Sequence, residues 1–398
     1  MLTLLRGIRV IEVGAVVLAP YAGQVLADLG ADVVKVEPLE GDIARTAHPQ
    51  GARGGALFVN NNRNKRALAI DLKAPTGRTA MAALIGTADV LLHNMRLDAA
   101  ERLGLGFAAA AANNPRIIHC AAIGFGSGGR YRDRPAFDDI IQAASGMAGF
   151  AAAGAGDPRF APTIVADKVA ALHVVYGILA ALVARERGRE GPIAVEVPMF
   201  EAMVSFLMSE HLAAATFDAD GRPGYSRVLS PDRRPYRTTD GWIAVMPYTT
   251  AQWQRCLEVI GETELARAGW VRDAVVRQPR IGELYALLGR RLGGRPTGEW
   301  IEALEACDIP CSKVSMPDDL LDDPHLTDVG FFSVPDGYAP GIHRMAPQPV
   351  RFAAAIATPD TPPPVLGQDS RAILREAGYD DAAIEVLVDG GVISVGNA

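Results

Sequence analysis

The 398-residue chain has only four cysteines, Cys120, Cys256, Cys307 and Cys311. They are too few and too scattered for the disulfide framework of a secreted domain, and they fit a reducing compartment. Cys307 and Cys311 stand four apart, but no second pair or histidine cluster completes a tetrahedral zinc site, so both read as structural thiols and no metal is expected. Charge of one sign is never concentrated: 39 Lys and Arg face 46 Asp and Glu, a net of −7, with no recurring basic block. Nucleic acid is therefore not an expected partner. No run reaches the roughly 18 uninterrupted apolar residues of a membrane span. The apolar start, Met1 to Pro20, is broken by Glu12 and lacks a small-residue cleavage site, which argues against a signal peptide. A cytoplasmic protein without membrane association is expected. Between the first strand-like run and the helix after it there is no G-x-G-x-x-G loop, so NAD is not predicted.

What is present suits a packed protein of more than one core. At 398 residues, 49% apolar and 21% charged, the chain predicts a large domain and a smaller one. Ile8 to Val13 is a short β-branched run, Tyr21 to Leu29 has helical spacing that Gly30 ends, and Ala31 to Glu37 is a second strand-like run. Strand, helix and strand with Gly and Pro punctuation make a parallel βαβ unit. The pattern recurs as a helix around Gly77 to Leu84, a strand at Asp89 to His93, an Ala-rich helix at Phe107 to Ala112 and a strand at Arg116 to Gly124. This is an α/β fold with a Rossmann-like, doubly wound large domain.

Asp167 to Arg187 is apolar on nearly all sides until Glu186, the pattern of a helix buried in mid-domain. The strand Ala194 to Val197 and the helix Met199 to Phe217 follow, and then Asp218 to Asp232, rich in Gly, Asp, Arg and Pro, reads as a linker. A hairpin at Arg237 to Val245 turning on Asp240-Gly241, and helices at Thr250 to Ile260, Arg280 to Leu292 and Thr297 to Glu305, predict a smaller α+β domain. After a Pro-rich crossing, Thr358 to Val365, the last expected helix is Ser370 to Ala377. The expected organisation is a large domain over 1–217, a linker over 218–235, a small domain over 236–330, and a linker with a return to the large domain over 331–398.

Ordered motifs then carry a resemblance. Gly7-Ile8-Arg9-Val10-Ile11-Glu12, Ala19-Pro20, Leu29 to Glu37 and Gly41-Asp42 are followed by Asn62-Arg63-Asn64-Lys65-Arg66 and Asp71-Leu72-Lys73. Asn94-Met95-Arg96, Arg102-Leu103-Gly104, Gly124-Phe125-Gly126, Pro135-Ala136-Phe137-Asp138 and Ser145-Gly146 come next, and Asp308-Ile309-Pro310-Cys311, Asp323-Pro324-His325 and Leu366-Gly367 complete the order. Together they resemble the family III CoA-transferases over nearly the whole chain. Each motif alone is weak; their shared order makes chance agreement implausible.

The resemblance implies an Asp nucleophile after a Pro-containing loop, at the head of a long helix, which here is Asp167. The positive end of a helix favours an ionised carboxylate, and such a carboxylate can attack a thioester to form a mixed anhydride and then an aspartyl-CoA thioester. Backbone N–H groups near the helix start and near Ala19 are the expected oxyanion donors. Read without the resemblance, Asp167 is an ordinary helix N-cap. Asp138 is the second acid that the resemblance brings near the site, and it too could be a helix cap. For coenzyme A, which is expected as a substrate with no permanently bound cofactor, the resemblance points to Ile70, Lys73, Asn94, Met95 and Arg102. The plain alternatives are a core role for Ile70 and solvated charge for Lys73 and Arg102. Pro38 stands where many members carry an Arg for the nucleotide, leaving Arg63 or Arg66 as substitutes. The histidines, His93, His119, His173 and His211 among them, read as core or near-core residues.

The function so implied is transfer of CoA between an acyl-CoA and a free carboxylic acid, by an interlocked homodimer. Two alternatives remain. An α-methylacyl-CoA racemase would need a second base, but Phe137 occupies the place of a His before the acid, and no carboxylate lies near Met246 to Thr249. A CoA-binding protein without catalysis is the other. The run of glycines that forms a lid in some transferases is missing from Gly224 to Tyr236, where Arg227, Arg233 and Arg234 stand instead and could hold the distal carboxylate of a diacid; solvated linker charge is the simpler account.

Overall fold

The computed structural model describes residues 1–334, 338–353 and 356–396. The chain forms two compact units, residues 1–145, 161–206 and 330–398 in one, 146–160 and 207–329 in the other.

The first unit is built on a seven-stranded sheet. Lys65–Ile70, Asp32–Glu37, Arg9–Val13, Val90–His93, Ile118–Ile123 and Ile193–Pro198 lie side by side in parallel, and Ile393–Ser394 adds an antiparallel edge beside Lys65–Ile70. In chain order the parallel strands run 3-2-1-4-5-6, the doubly wound arrangement. The central strands are buried on both faces, and for that reason they read as continuous apolar runs such as Val90–His93. Strand order reverses at Arg9–Val13, so the crevice for a ligand opens beyond the carboxyl ends of Arg9–Val13 and Val90–His93.

Several elements depart from the sequence reading. The strand Lys65–Ile70 was hidden by its two opening cations, because Lys65 is in fact buried. Ser370–Glu376 is not the last helix: Asp381–Asp389 and the edge strand follow it. The helix from Met199 stops at His211 and becomes a 3-10 turn, Ala213–Thr216, where Ala213 adopts a left-handed φ of 43°. Val165–Glu186 is long and apolar enough to cross a membrane by composition, yet it packs on Ile118–Ile123, Ile193–Pro198 and the helix Leu18–Asp28. It is not buried all round, however. Leu172, Tyr176 and Val183 are 51%, 59% and 49% exposed, on a face that the described residues of the single chain leave open.

The second unit contains an antiparallel sheet of Tyr236–Arg237, Trp242–Val245 and Cys311–Lys313. Asp240 at the hairpin turn accepts hydrogen bonds from the Thr297 N–H and hydroxyl, tying the turn to the helix Thr297–Glu305. Thr249 and Gln252 form a reciprocal capping box on the helix Thr250–Val259. Trp253, Tyr285 and Trp300 fill the core between these elements. Residues 207–235 belong to this unit, unlike the expected boundaries, which began it at 236. The reason is local: the Gly224 N–H bonds the His211 carbonyl, the Tyr225 N–H bonds His211 Nδ1, and Arg227 donates to the Tyr285 hydroxyl.

Candidate active site

The loop Gly14 to Val17, just past the first strand, is fixed from three sides. Asn94, just past the strand Val90–His93, accepts from the Ala15 N–H at 3.1 Å and donates to the Ala15 carbonyl at 3.0 Å. Asp42 accepts the Val16 N–H, and the Lys35 ammonium donates to the Gly14 carbonyl at 2.9 Å. A Cβ on Gly14 would collide with that of Ala19, so only glycine lets the loop pass so close to the helix Leu18–Asp28. Val16 has a φ of 69°, a left-handed conformation that a β-branched residue adopts only when its surroundings impose it.

Beneath the loop lies a buried charge cluster that the sequence reading missed. Glu12 bridges two ammonium groups, Lys35 at 3.2 Å and Lys65 at 2.7 Å, and Lys35 also meets Asp42 at 3.0 Å. Burial alone would lower both lysines. For Lys35 the neighbouring Glu12 and Asp42 outweigh burial and hold it above its ordinary range, whereas Lys65, with Lys35 close by, is brought down to about 8.

Asp167 lies in the first turn of Val165–Glu186. It is not the cap; Ile164 holds that position. The capping is done by Asp138, at the start of the helix Asp138–Ala144, whose carboxylate accepts the N–H groups of Ala166 at 2.6 Å and Asp167 at 3.2 Å, and the Gln142 amide at 2.6 Å. One expectation is thereby narrowed. The N–H groups of Ala166 and Asp167 are taken by Asp138, so those two are not free oxyanion donors. Burial first, and then the charge of Asp138, push the Asp167 carboxyl up to about 6. No hydrogen bond to the Asp167 carboxylate is found among the described residues. The helix Leu18–Asp28, by contrast, has no side-chain cap, so the first-turn amides of Leu18 and Ala19 are left without one.

The expected coenzyme residues fall in different settings. Asn94 and Met95 line a cleft of about 240 Å³ together with Arg96, Leu97, Ile123, Gly124, Arg132, Arg134 and Phe137. Ile70 is 1% exposed and packs in the core, paired with Ile393, so its side chain offers no surface to a ligand. Lys73 is exposed just past the same strand, and Arg102 is an exposed residue paired with Asp98 at 2.8 Å. Neither lines the cleft. Arg63 and Arg66 cannot substitute for the Arg absent at position 38. Arg63 is buried on Asp28 and the Ala346 carbonyl, and Arg66 is held by Asp32 and Glu376. The cleft's cations are instead Arg96, Arg132 and Arg134, the last stacked 3.9 Å from the Tyr131 ring. Their signal was in view: four arginines crowd residues 130–134 and 96 immediately around the motifs that were read. His93 is fully buried, and burial with His119 nearby pushes its imidazole down to about 3, in keeping with a core residue.

The profile of CoA-transferase family III matches residues 5–370. The chain belongs to this family. A protein described as a probable fatty acyl-CoA transferase of Mycobacterium tuberculosis is 29% identical over 385 residues, 93% of this chain and 97% of that one. The succinate–glutarate CoA-transferase of Agrobacterium fabrum is also 29% identical, over 94% of this chain and 95% of its own. Among solved structures, a CaiB/BaiF family protein from Brucella suis superposes with a TM-score of 0.80 at 27% identity, covering 95% of this chain and all of that one. The chain is thus a CoA-transferase with the mixed α/β architecture of its family.

Proposed function

We propose that Asp167 is the nucleophile that carries acyl and CoA groups between two carboxylic acids. The observation that carries this reading is a half-buried carboxylate, raised to about 6, without a hydrogen-bond partner among the described residues, beside a second carboxylate that is fully engaged. At neutral pH such a group is ionised yet poorly solvated, which favours attack. An Asp167 oxygen adds to the thioester carbonyl, and the tetrahedral oxyanion collapses with departure of the CoA thiolate, leaving a mixed anhydride. The thiolate then attacks the aspartyl carbonyl and expels the first acid as its carboxylate. The incoming carboxylate attacks the resulting aspartyl-CoA thioester, and the same steps run in reverse. The uncapped amides of Leu18 and Ala19 suit the oxyanion. Asn94 acts by fixing the Gly14 to Val17 loop, Met95 and the cleft arginines take the coenzyme, and Lys73 and Arg102 stay as outlying phosphate candidates. Asp138 is a positioning residue that seats the Asp167 turn.

The homodimer belongs to the same proposal. The uncovered face of Leu172, Tyr176 and Val183 suits a second copy, and sedimentation of the purified chain tests it. The chemistry is tested by intact mass after incubation with succinyl-CoA. An acyl or CoA adduct that is lost in Asp167→Asn is expected; retained turnover in that variant overturns the assignment. Exchange of the α-proton in deuterated water without any adduct would favour racemisation, for which Phe137, 73% exposed, offers no second base.

A further inference from the structure

The second unit has its own cavity of about 540 Å³, lined by Phe150, Ala151, His211, Val228, Leu229, Ser230, Pro231, Arg233 and Arg234. One wall is an aromatic pair: the Phe150 and His211 rings are stacked 4.0 Å apart at 18°. His211 Nδ1 accepts the Tyr225 N–H, which places the imidazole proton on Nε2, 3.5 Å from Glu210, so the ring is a fixed wall with its hydrogen bonds already assigned. The opposite character comes from consecutive arginines. Arg227, the third arginine of this stretch, is engaged: it bonds the Tyr285 hydroxyl and lies 4.6 Å from the Tyr248 ring centre. Arg233 and Arg234 form no ion pair among the described residues. The Arg233 Nε is buried without an acceptor among the described residues, a costly state for a guanidinium N–H unless an anion completes it.

We infer that this cavity is a binding site for a short dicarboxylic acid, one carboxylate meeting Arg233, the other Arg234, and the carbon chain lying against the Phe150, Val228 and Leu229 wall. Two adjacent cations call for two negative charges, and an aromatic and aliphatic wall calls for carbon between them, which a simple inorganic anion lacks. Binding here is independent of covalent chemistry, but the choice of an organic acid rests on the transferase reading. The reading is not implied by family membership, since the relatives named above include one described for fatty acyl groups and one for diacids.

Titration calorimetry of the whole protein, without acyl-CoA, tests it with succinate, glutarate, butyrate and inorganic phosphate. Saturable binding of succinate or glutarate is expected, at least about tenfold tighter than butyrate. Arg233→Gln and Arg234→Gln should each weaken it about tenfold or more, and Asp167→Asn should leave it unchanged. Diacid binding indifferent to both arginine changes, or absent altogether, overturns the site. Phosphate binding as tightly as the diacids overturns the ligand class. Loss of binding in Asp167→Asn would place the acid at the nucleophile and also overturn it. Failure of the adduct experiment alongside normal diacid binding would reject the transfer chemistry and leave this site intact.

Discussion

Two groups of buried charge in the first unit are built on opposite rules. Around Glu12, every charge is answered: two lysines, Asp42 and backbone carbonyls close the network, and Gly23 is needed so that its helix can pass the Glu12 carboxylate. Around Asp167, two like charges meet, three N–H donors address Asp138, and none of the bonds described addresses Asp167. The first arrangement makes a rigid platform for the Gly14 to Val17 loop. The second holds one carboxylate in a state that folding alone would not select. Paired charge here is scaffold, and unanswered charge is the candidate for chemistry.

The largest expected effect breaks the comparison at its reactive half. Asp167→Asn should lower transfer turnover by about a thousandfold or more, the scale of losing a nucleophile. It should not cost stability. A carboxyl at about 6 in the fold and near 3.8 unfolded keeps its proton in the fold after the unfolded chain has lost it. Stability therefore declines as pH rises from about 4 to about 6, and the penalty is complete at neutral pH. Removing it should stabilise the protein by no more than about 3 kcal/mol at pH 7, less once solvent screening is counted, read as an upward shift of the urea midpoint. Destabilisation of similar size would show that Asp167 is structural.

The converse is expected at the scaffold. Glu12→Gln leaves the buried Lys65 ammonium without its anionic partner and Lys35 with Asp42 alone, and should cost about 3–5 kcal/mol, a large share of a domain's stability, in urea unfolding. Because the network also anchors the loop, activity per folded molecule should fall less than it does in Asp167→Asn. Equal losses of activity would erase the distinction between the two clusters.

The same contrast explains what was legible in the sequence. Strands such as Asp32–Glu37 and Val90–His93 were readable because burial on both faces writes itself as a continuous apolar run. Lys65–Ile70 was not, since its first residue is a lysine whose buried partner, Glu12, is 53 residues away in the chain. Family motifs brought out Asp167 and Asp138, and a helix cap was a fair reading for both. Which of them caps depends on the approach of Asp138–Ala144 to Val165–Glu186, a contact that local pattern does not encode. Ile70 carried the motif but faces the core, and Arg63 and Arg66 carried the right charge but had partners from distant segments.

A smaller change sharpens the reactive pair. Asp138→Asn keeps an oxygen to accept the Ala166 N–H but removes the charge beside Asp167. The acid limb of kcat/KM, expected near pH 6 because the nucleophile must be ionised, should move to lower pH. It should stop short of the ordinary carboxylate value, since burial, the larger cause, remains. Stability should change by about 1 kcal/mol, as for other cap substitutions. A limb that stays in place would mean that Asp138 does not set the charge state of its neighbour.

The smallest expected effect lies outside both clusters. Arg102 is exposed and its pair with Asp98 joins neighbours on one helical turn, so Arg102→Gln should alter stability by less than about 0.5 kcal/mol. If Arg102 also meets a coenzyme phosphate, KM for acyl-CoA should rise about threefold to tenfold with kcat unchanged, and the rise should shrink at high salt as the Debye length contracts. A KM equal to that of the unaltered enzyme at low ionic strength would return Arg102 to the solvated surface, and would leave the arginines of the cleft, Arg96, Arg132 and Arg134, as the phosphate side of the site.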